Sequence, residues 1–274
     1  MALWNIHCEW SSLLVFHLLL LCGDVHPNPG PLLEDDFFSG FLSFCNWNLN
    51  SLATDNFKRI TLLTAENTLH KYDIISLCET SLNTETVVPE NAIAGYAFHP
   101  LNHPSGGRHG GVGIFYKETL PLRVRLDLSF DECLVSELRF GRKKIFFTVI
   151  YRNPAHKASS AEFNNFLQNF ENLHKSIKLE NPYVSFFAGD FNGHSKYWYE
   201  DGDTNAEGTA LNSLFTELDL DQIITEPTHF FNDHSNPSCI DLILTDQPNL
   251  VMDSGVRPSL DPLVHHQMTF CKLN

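Results

Sequence analysis

Nine short stretches of this chain are runs of apolar, β-branched and aromatic residues: 41–48, 73–79, 111–116, 122–126, 133–140, 145–151, 183–190, 239–245 and 263–271. Most are apolar almost throughout, which is the pattern of strands buried on both faces. One differs, because Leu122, Val124 and Leu126 alternate with Arg123 and Arg125, the period-two signature of a half-exposed strand. A longer period appears in 161–178. There Phe163, Phe166, Leu167, Phe170, Leu173 and Ile177 recur at helical spacing and predict an amphipathic helix, and residues 210–218 continue the theme. Strands interleaved with such helices predict an α/β fold in which mixed sheets are covered by helices.

The apolar run LLVFHLLLLC at 13–22 stands outside this scheme. It is too short to span a bilayer, which takes about 20 apolar residues, and it has the length of a signal-peptide core. Yet no Lys or Arg precedes it, and Gly23-Asp24-Val25-His26-Pro27-Asn28-Pro29-Gly30-Pro31 follows in place of a small-residue cleavage site. That string resembles the viral 2A-like ribosome-skipping peptides, with His26 where the pattern usually has Glu. The resemblance implies release between Gly30 and Pro31, whose locked φ makes it a slow acceptor. Skipping predicts a product in the nucleus or cytoplasm, whereas a signal peptide predicts secretory routing. The expected organisation is a leader over 1–30, a linker over 31–40 with Glu34, Asp35 and Asp36, and one domain over 41–274.

Composition sharpens this picture in three places. A chain of 274 residues with 43% apolar content and 22 Phe has enough to build one large core. The net charge of -15 argues against a protein held to nucleic acid by bulk electrostatics. Residues 105–160 nevertheless carry ten Lys or Arg against five acids, so Arg108, Arg142, Lys143, Lys144 and Arg152 are candidate DNA contacts. His109, ahead of Gly110-Gly111, is either a phosphate contact or a loop residue, and the 139–144 cluster reads equally as a solvated hairpin tip. The seven Cys form no CxxC pair and mostly sit in apolar runs, as reduced core thiols of a cytosolic or nuclear protein do.

Polar groups end the strand-like runs in a particular order: Asn48-Leu49-Asn50-Ser51, Cys78-Glu79-Thr80, Val149-Ile150-Tyr151, Gly189-Asp190-Phe191-Asn192 and Ile240-Asp241-Leu242-Ile243. Strand ends of this kind deliver side chains to one rim of a sheet. Phosphodiester hydrolysis needs charge neutralisation, an activated water and help for the leaving oxygen. Glu79 suits a hard cation, Mg²⁺ or Mn²⁺. Asn48 and Asn50 point to opposite faces of an ideal strand, so sharing a site requires a bend near Ser51. Asp190 ends the most apolar run, so desolvation should raise its pKa toward the range of a proton-transfer group; an Asx-turn is the rival reading. Tyr151 and Asn192 can donate to phosphate oxygens, and Asp241 would orient His265 or His266 on the last strand.

Over residues 41–273 these motifs, with Trp198, Asn205, Gly208, Thr225-Glu226-Pro227-Thr228 and Ser238-Cys239-Ile240-Asp241, resemble the apurinic-type endonuclease domain of non-LTR (LINE-like) retrotransposons. The resemblance implies a four-layer α/β sandwich of two facing mixed sheets, the DNase I-like fold. It implies Glu79 and Asn50 at the metal, Asn48, Tyr151 and Asn192 on phosphate, Asp190 in proton transfer, and an Asp241–His266 dyad. DNA would be the substrate, nicked to leave a 3′-hydroxyl that primes reverse transcription, with no lipid cofactor. The chain has Val264-His265-His266 where that family commonly has Ser-Asp-His, which removes an acid near the metal. It carries no reverse transcriptase, as expected of a truncated element copy or a separately encoded piece. Two other readings remain: an impaired fragment that at most binds nucleic acid, and a phosphomonoesterase of the same superfamily. The latter's inositol phosphatases carry Trp-Cys-Asp-Arg where this chain has Ser238-Cys239-Ile240-Asp241.

Overall fold

Phe186 and Phe187 are neighbours in sequence and point to opposite faces of their strand, as a two-residue period requires. Both are fully buried, so this strand has packed layers above and below it. Phe186 meets Phe44 of the facing sheet at 5.1 Å between ring centroids, while Phe187 meets Phe170 of a covering helix, also at 5.1 Å.

The computed structural model describes residues 41–103, 105–106, 110–200, 202–231 and 236–274. The leader with Gly30 and Pro31, the acidic linker, and the candidate contacts Arg108 and His109 lie outside them. In chain order the strands are β1 (Leu42–Asn48), β2 (Ile74–Cys78), β3 (Tyr96–Leu101), β4 (Val112–Lys117), β5 (Leu122–Val124), β6 (Cys133–Phe140), β7 (Lys143–Tyr151), β8 (Val184–Asp190), β9 (Asp221–Gln222), β10 (Asp241–Thr245), β11 (Val251–Arg257) and β12 (Met268–Leu273). They form two six-stranded mixed sheets, ordered β11-β12-β1-β2-β4-β3 and β5-β6-β7-β8-β10-β9. The sheets face one another through β1, β2 and β4 on one side and β7 and β8 on the other.

Helices supply the outer layers. Helix α1 (Lys58–His70) buries Ile60 and Leu63 with Trp47, Leu77 and Phe115 of the first sheet and Tyr72 of the loop before β2. Helix α2 (Ala161–Leu179) starts at Ser160, whose side chain accepts the Phe163 N–H, and buries Phe163, Phe170, Leu173, His174 and Ile177. Helix α3 (Ala206–Glu217) is capped by Asn205 on the Gly208 N–H and adds Phe215 to the same aromatic layer. The result is the four-layer α/β sandwich expected from the sequence.

Some elements differ from the expectation. Helix α1, edge strands β3 and β11, and the short β9 lack a legible period. Pro100 interrupts β3, and α1 mixes Thr, Asn and Glu into its inner face. The run at 263–271 becomes a strand only from Met268, so His265 and His266 lie in the loop before it.

Close packing of β7 and β8 leaves a mark on the sequence. Parallel pairing places Ile150 beside Gly189, and a Cβ on Gly189 would lie 1.8 Å from the Ile150 carbonyl oxygen. Gly189→Ala is expected to cost about 2–4 kcal/mol through overpacking and strain. Calorimetry should show Tm lower by roughly 5–15 °C. An unchanged Tm would mean that the two strands are not this close.

Candidate active site

The strand register brings five ends to one rim. In the first sheet, parallel pairing of β1 with β2 sets Asn48 beside Cys78, and Glu79 follows directly. In the second sheet, Tyr151 pairs with Asp190, and Asp241 pairs with Asp190 from the other side. The Asn48 amide spans the gap between sheets: its Nδ2 donates to Glu79 Oε1 at 2.8 Å and to Asp190 Oδ2 at 2.9 Å. His266 Nδ1 lies 2.9 Å from Asp241 Oδ2, and ligand atoms of Asp190, Asp241 and His266 all fall within 4.8 Å of one another.

The backbone turns sharply where these groups emerge. Asn50 and Ser51 have φ of 46° and 88°, the bend that the alternating asparagines required, and Glu79 and Asn192 sit at 54° and 50°. Left-handed conformations cost a non-glycine residue about 1–2 kcal/mol, and such strain collects at functional sites. Here specific bonds hold it. The Asn50 N–H donates to Asn48 Oδ1, and the Asn192 N–H donates to Asp190 Oδ1. The Asx-turn at Asp190 therefore exists alongside its place in the acidic cluster. Thr228 Oγ1 accepts both the Ile240 and the Asp241 N–H groups, fixing the start of β10.

Burial and charge set the protonation states. Asp190 is fully buried, and desolvation followed by the Asp241 charge pushes its carboxyl well above the usual carboxylate range. Burial disfavours a charged His266, but the Asp241 charge and hydrogen bond outweigh it and raise this imidazole to about 9. Burial, then Glu79 and Asp190, push the Tyr151 phenol upward. Glu132, at the start of the β6 region, is raised to about 7 chiefly by burial. All three of Asp190, Glu132 and His266 have folded-state pKa values above their unfolded ones. The stability they contribute is complete below the unfolded values and is lost as pH rises through the folded ones. Without divalent cation, Tm should therefore fall between pH 6.5 and pH 9. Scanning calorimetry in chelator at the two pH values checks this, and equal Tm values would remove the assigned shifts.

A hard divalent cation fits these residues. Carboxylate charge at the rim exceeds that of the single imidazolium, and Asp241 Oδ1 is buried without a hydrogen-bond partner. Oxygen donors suit Mg²⁺ or Mn²⁺. Glu79 is half-buried with Asn48 on one oxygen, and Asn50 is exposed at the lip of the bend, so these two would hold the ion.

Among the described residues, the basic candidates for DNA contact are either buried in the scaffold or distant from this rim. Arg152 is 2% exposed, and its guanidinium donates to the carbonyls of Phe191, Asn192, Asn153 and His156. It clips the Asp190–Asn192 turn in place as a buried residue of the scaffold. Asn192 in turn donates one amide N–H to the Arg152 carbonyl. Arg142, Lys143 and Lys144 open β7 while Tyr151 closes it, so they sit at the opposite rim, roughly 25 Å away at a strand's rise per residue. Lys144 pairs with Glu180 at 2.7 Å, and Lys143 lies over the Tyr183 ring. The solvated-hairpin reading holds for Arg142 at the exposed tip.

His265 is exposed beside Phe231, outside the Asp190–Asp241–His266 cluster. Two further groups stand at the site that sequence reasoning did not nominate. His229 has its ring 4.6 Å from that of His266, and burial, then the His266 charge, lowers it to about 4. Arg59 of α1 donates to the carbonyls of Asn50 and Ser51 and pairs with Asp261 at 3.1 Å. It thus joins the Asn50 bend to the loop before His266. The one available signal was an Arg in the first turn of a helix that follows Thr54-Asp55-Asn56.

Residues 45–262 match the endonuclease/exonuclease/phosphatase family, and the chain belongs to it. Members are divalent-metal-dependent hydrolases of nucleic-acid or other phosphoester substrates. Among solved structures, the endonuclease domain of TRAS1, a telomere-specific non-LTR retrotransposon, is 17% identical with TM-score 0.67, covering 86% of this chain and 99% of that one. The AP endonuclease LMAP from Leishmania major is 16% identical with TM-score 0.71, covering 87% and 90%. The 3′-5′ exonuclease NExo from Neisseria meningitidis is 16% identical with TM-score 0.62, covering 85% and 100%. At these identities the likeness is one of fold, the DNase I-like sandwich. No curated sequence matches the chain.

Proposed function

We propose that this chain is a Mg²⁺-dependent DNA endonuclease that nicks one strand and leaves a 3′-hydroxyl able to prime reverse transcription. The observation that carries this reading is the bridging Asn48 amide. It draws Glu79 of one sheet and the Asp190–Asp241–His266 cluster of the other into one site. Asp190, fully buried and raised in pKa, takes a proton from the attacking water. The His266 imidazolium, held by Asp241, neutralises charge that develops on a non-bridging phosphate oxygen. Tyr151 and the remaining amide N–H of Asn192 orient the phosphodiester, while Asn48, expected on phosphate, spends both amide hydrogens on Glu79 and Asp190 and holds those carboxylates in place. A cation bound at Glu79 and Asn50 would supply Lewis-acid stabilisation of the phosphate and leaving oxygen. The DNA-acting neighbours support a nucleic-acid substrate over a lipid headgroup. Among the described residues the basic cluster lies at the far rim, which favours recognition through duplex shape over bulk charge.

The test is supercoiled-plasmid nicking with Mg²⁺, with Mn²⁺ and with chelator, followed by polymerase extension from the nick. Cation-dependent nicks that extend directly support the reading. No nicking with either cation favours the impaired fragment, and phosphate release from a monoester without nicking favours the phosphatase.

A further inference from the structure

Glu132 is a buried carboxylate at the rim, 8% exposed, with no part in the reaction proposed above. Its Oε1 accepts the Gly111 N–H at 2.5 Å, and its own carbonyl accepts the Tyr151 N–H at 3.0 Å. The Gly110–Gly111 turn that it grips is the support of the Glu79 loop. Thr80 N–H donates to the Gly111 carbonyl at 3.1 Å, and Ser81 N–H donates to the Gly110 carbonyl at 2.8 Å. Glu132 therefore connects the β6–β7 side of one sheet to the β2–β4 side of the other, next to the residue that would meet the cation.

Both glycines are consequences of this approach. Gly110 and Gly111 have φ of +73° and +79°. A Cβ on Gly110 would lie 2.0 Å from Glu132 Oε1, and one on Gly111 would lie 2.9 Å from Thr80 Oγ1. Only a bare backbone admits the carboxylate on one side and Thr80 on the other.

We propose that Glu132 is the positioning residue for Glu79: by accepting the Gly111 N–H it fixes the double-glycine turn, and the turn fixes the Thr80–Ser81 backbone that presents Glu79 to the cation. This rests on the phosphodiesterase reading of the site. What the turn requires of residue 132 is reach and an acceptor oxygen, not a negative charge. Burial, the largest influence on this carboxyl, already favours its neutral form near pH 7. Groups one atomic layer behind a metal ligand typically change metal affinity 10–100-fold when removed.

Two substitutions in the full chain separate reach from charge. Glu132→Gln keeps the length and the acceptor but loses the charge, while Glu132→Asp keeps the charge and falls one methylene short of Gly111. The readouts are the Mn²⁺ dissociation constant, from paramagnetic resonance of the free ion, and Tm in chelator. Glu132→Gln should bind Mn²⁺ within about threefold of wild type, and Glu132→Asp should bind roughly 10–100-fold more weakly, with Tm close to wild type. The reverse order would make charge the operative property and overturn the proposal. So would two variants with wild-type affinity, two equally weakened variants, or a wild type that binds no Mn²⁺. Plasmid nicking run alongside keeps the two readings apart. A wild type that binds Mn²⁺ without nicking defeats the endonuclease, and the comparison of dissociation constants still decides the role of Glu132.

Discussion

Glu79→Ala is expected to lower Mg²⁺-dependent nicking by roughly 10²–10⁴-fold, the equivalent of the several kcal/mol of charge stabilisation that a bound cation supplies. The fold should survive, because Glu79 is only half-buried and its partner, the Asn48 amide, keeps a second acceptor in Asp190 Oδ2. Saturating Mn²⁺ should recover little of the rate, since the ligand itself is gone. Steady-state nicking rates over a cation titration, with circular dichroism to verify folding, make the measurement. A folded variant that nicks at the wild-type rate would place the cation elsewhere and remove the role given to Glu79 and Asn50.

Asp190→Asn should be equally damaging to the rate, with little net effect on stability. Loss of proton transfer costs about 10²–10⁴-fold. The buried Asp190 carboxylate stands opposite Asp241 in the ladder, and its raised pKa means that its ionised form is disfavoured in the folded state. A neutral amide removes that repulsion, but its single oxygen can serve only one of the two donors, the Asn192 N–H and Asn48 Nδ2, that the carboxylate serves together. At pH 8 without divalent cation the two effects oppose, and Tm of the variant should stay within about 5 °C of wild type. Lost activity accompanied by a Tm drop of more than about 5 °C would instead make Asp190 a structural member of its turn.

The placement of Arg152 shows how a sound composition argument can fail at a particular residue. The segment 105–160 is basic in sequence, yet Arg125 pairs with Asp127, Glu137 and Glu180, Lys144 with Glu180, and Arg139 with Glu137. Net charge along a chain counts groups without regard to partners, and several partners of these cations come from other elements. The signal that Arg152 is internal was its position just after a seven-residue, largely apolar run that ends at Tyr151, where the chain has not yet left the core.

The order of polar strand ends, the two-residue and helical periods, and the abundance of apolar side chains were sufficient in the sequence alone to specify an α/β fold of mixed sheets covered by helices, to which the resemblance added two facing sheets, and to nominate Asn48, Glu79, Tyr151, Asp190, Asp241 and a terminal histidine. Those features are local: they depend on what a residue's neighbours are and which face it takes. What only the tertiary structure decided depends on residues far apart in the chain. It bonded His266 to Asp241 across 25 positions, the pairing that the resemblance implied and the residues alone left open, and it placed Glu132 on the Gly110–Gly111 turn and Arg59 between the Asn50 bend and Asp261. It also sent Arg142, Lys143 and Lys144 to the rim opposite the site, because β7 enters at one end of its sheet and delivers Tyr151 at the other. Register and strand direction are properties of pairing between segments, and pairing is set when the whole core closes, so no single segment carries that information.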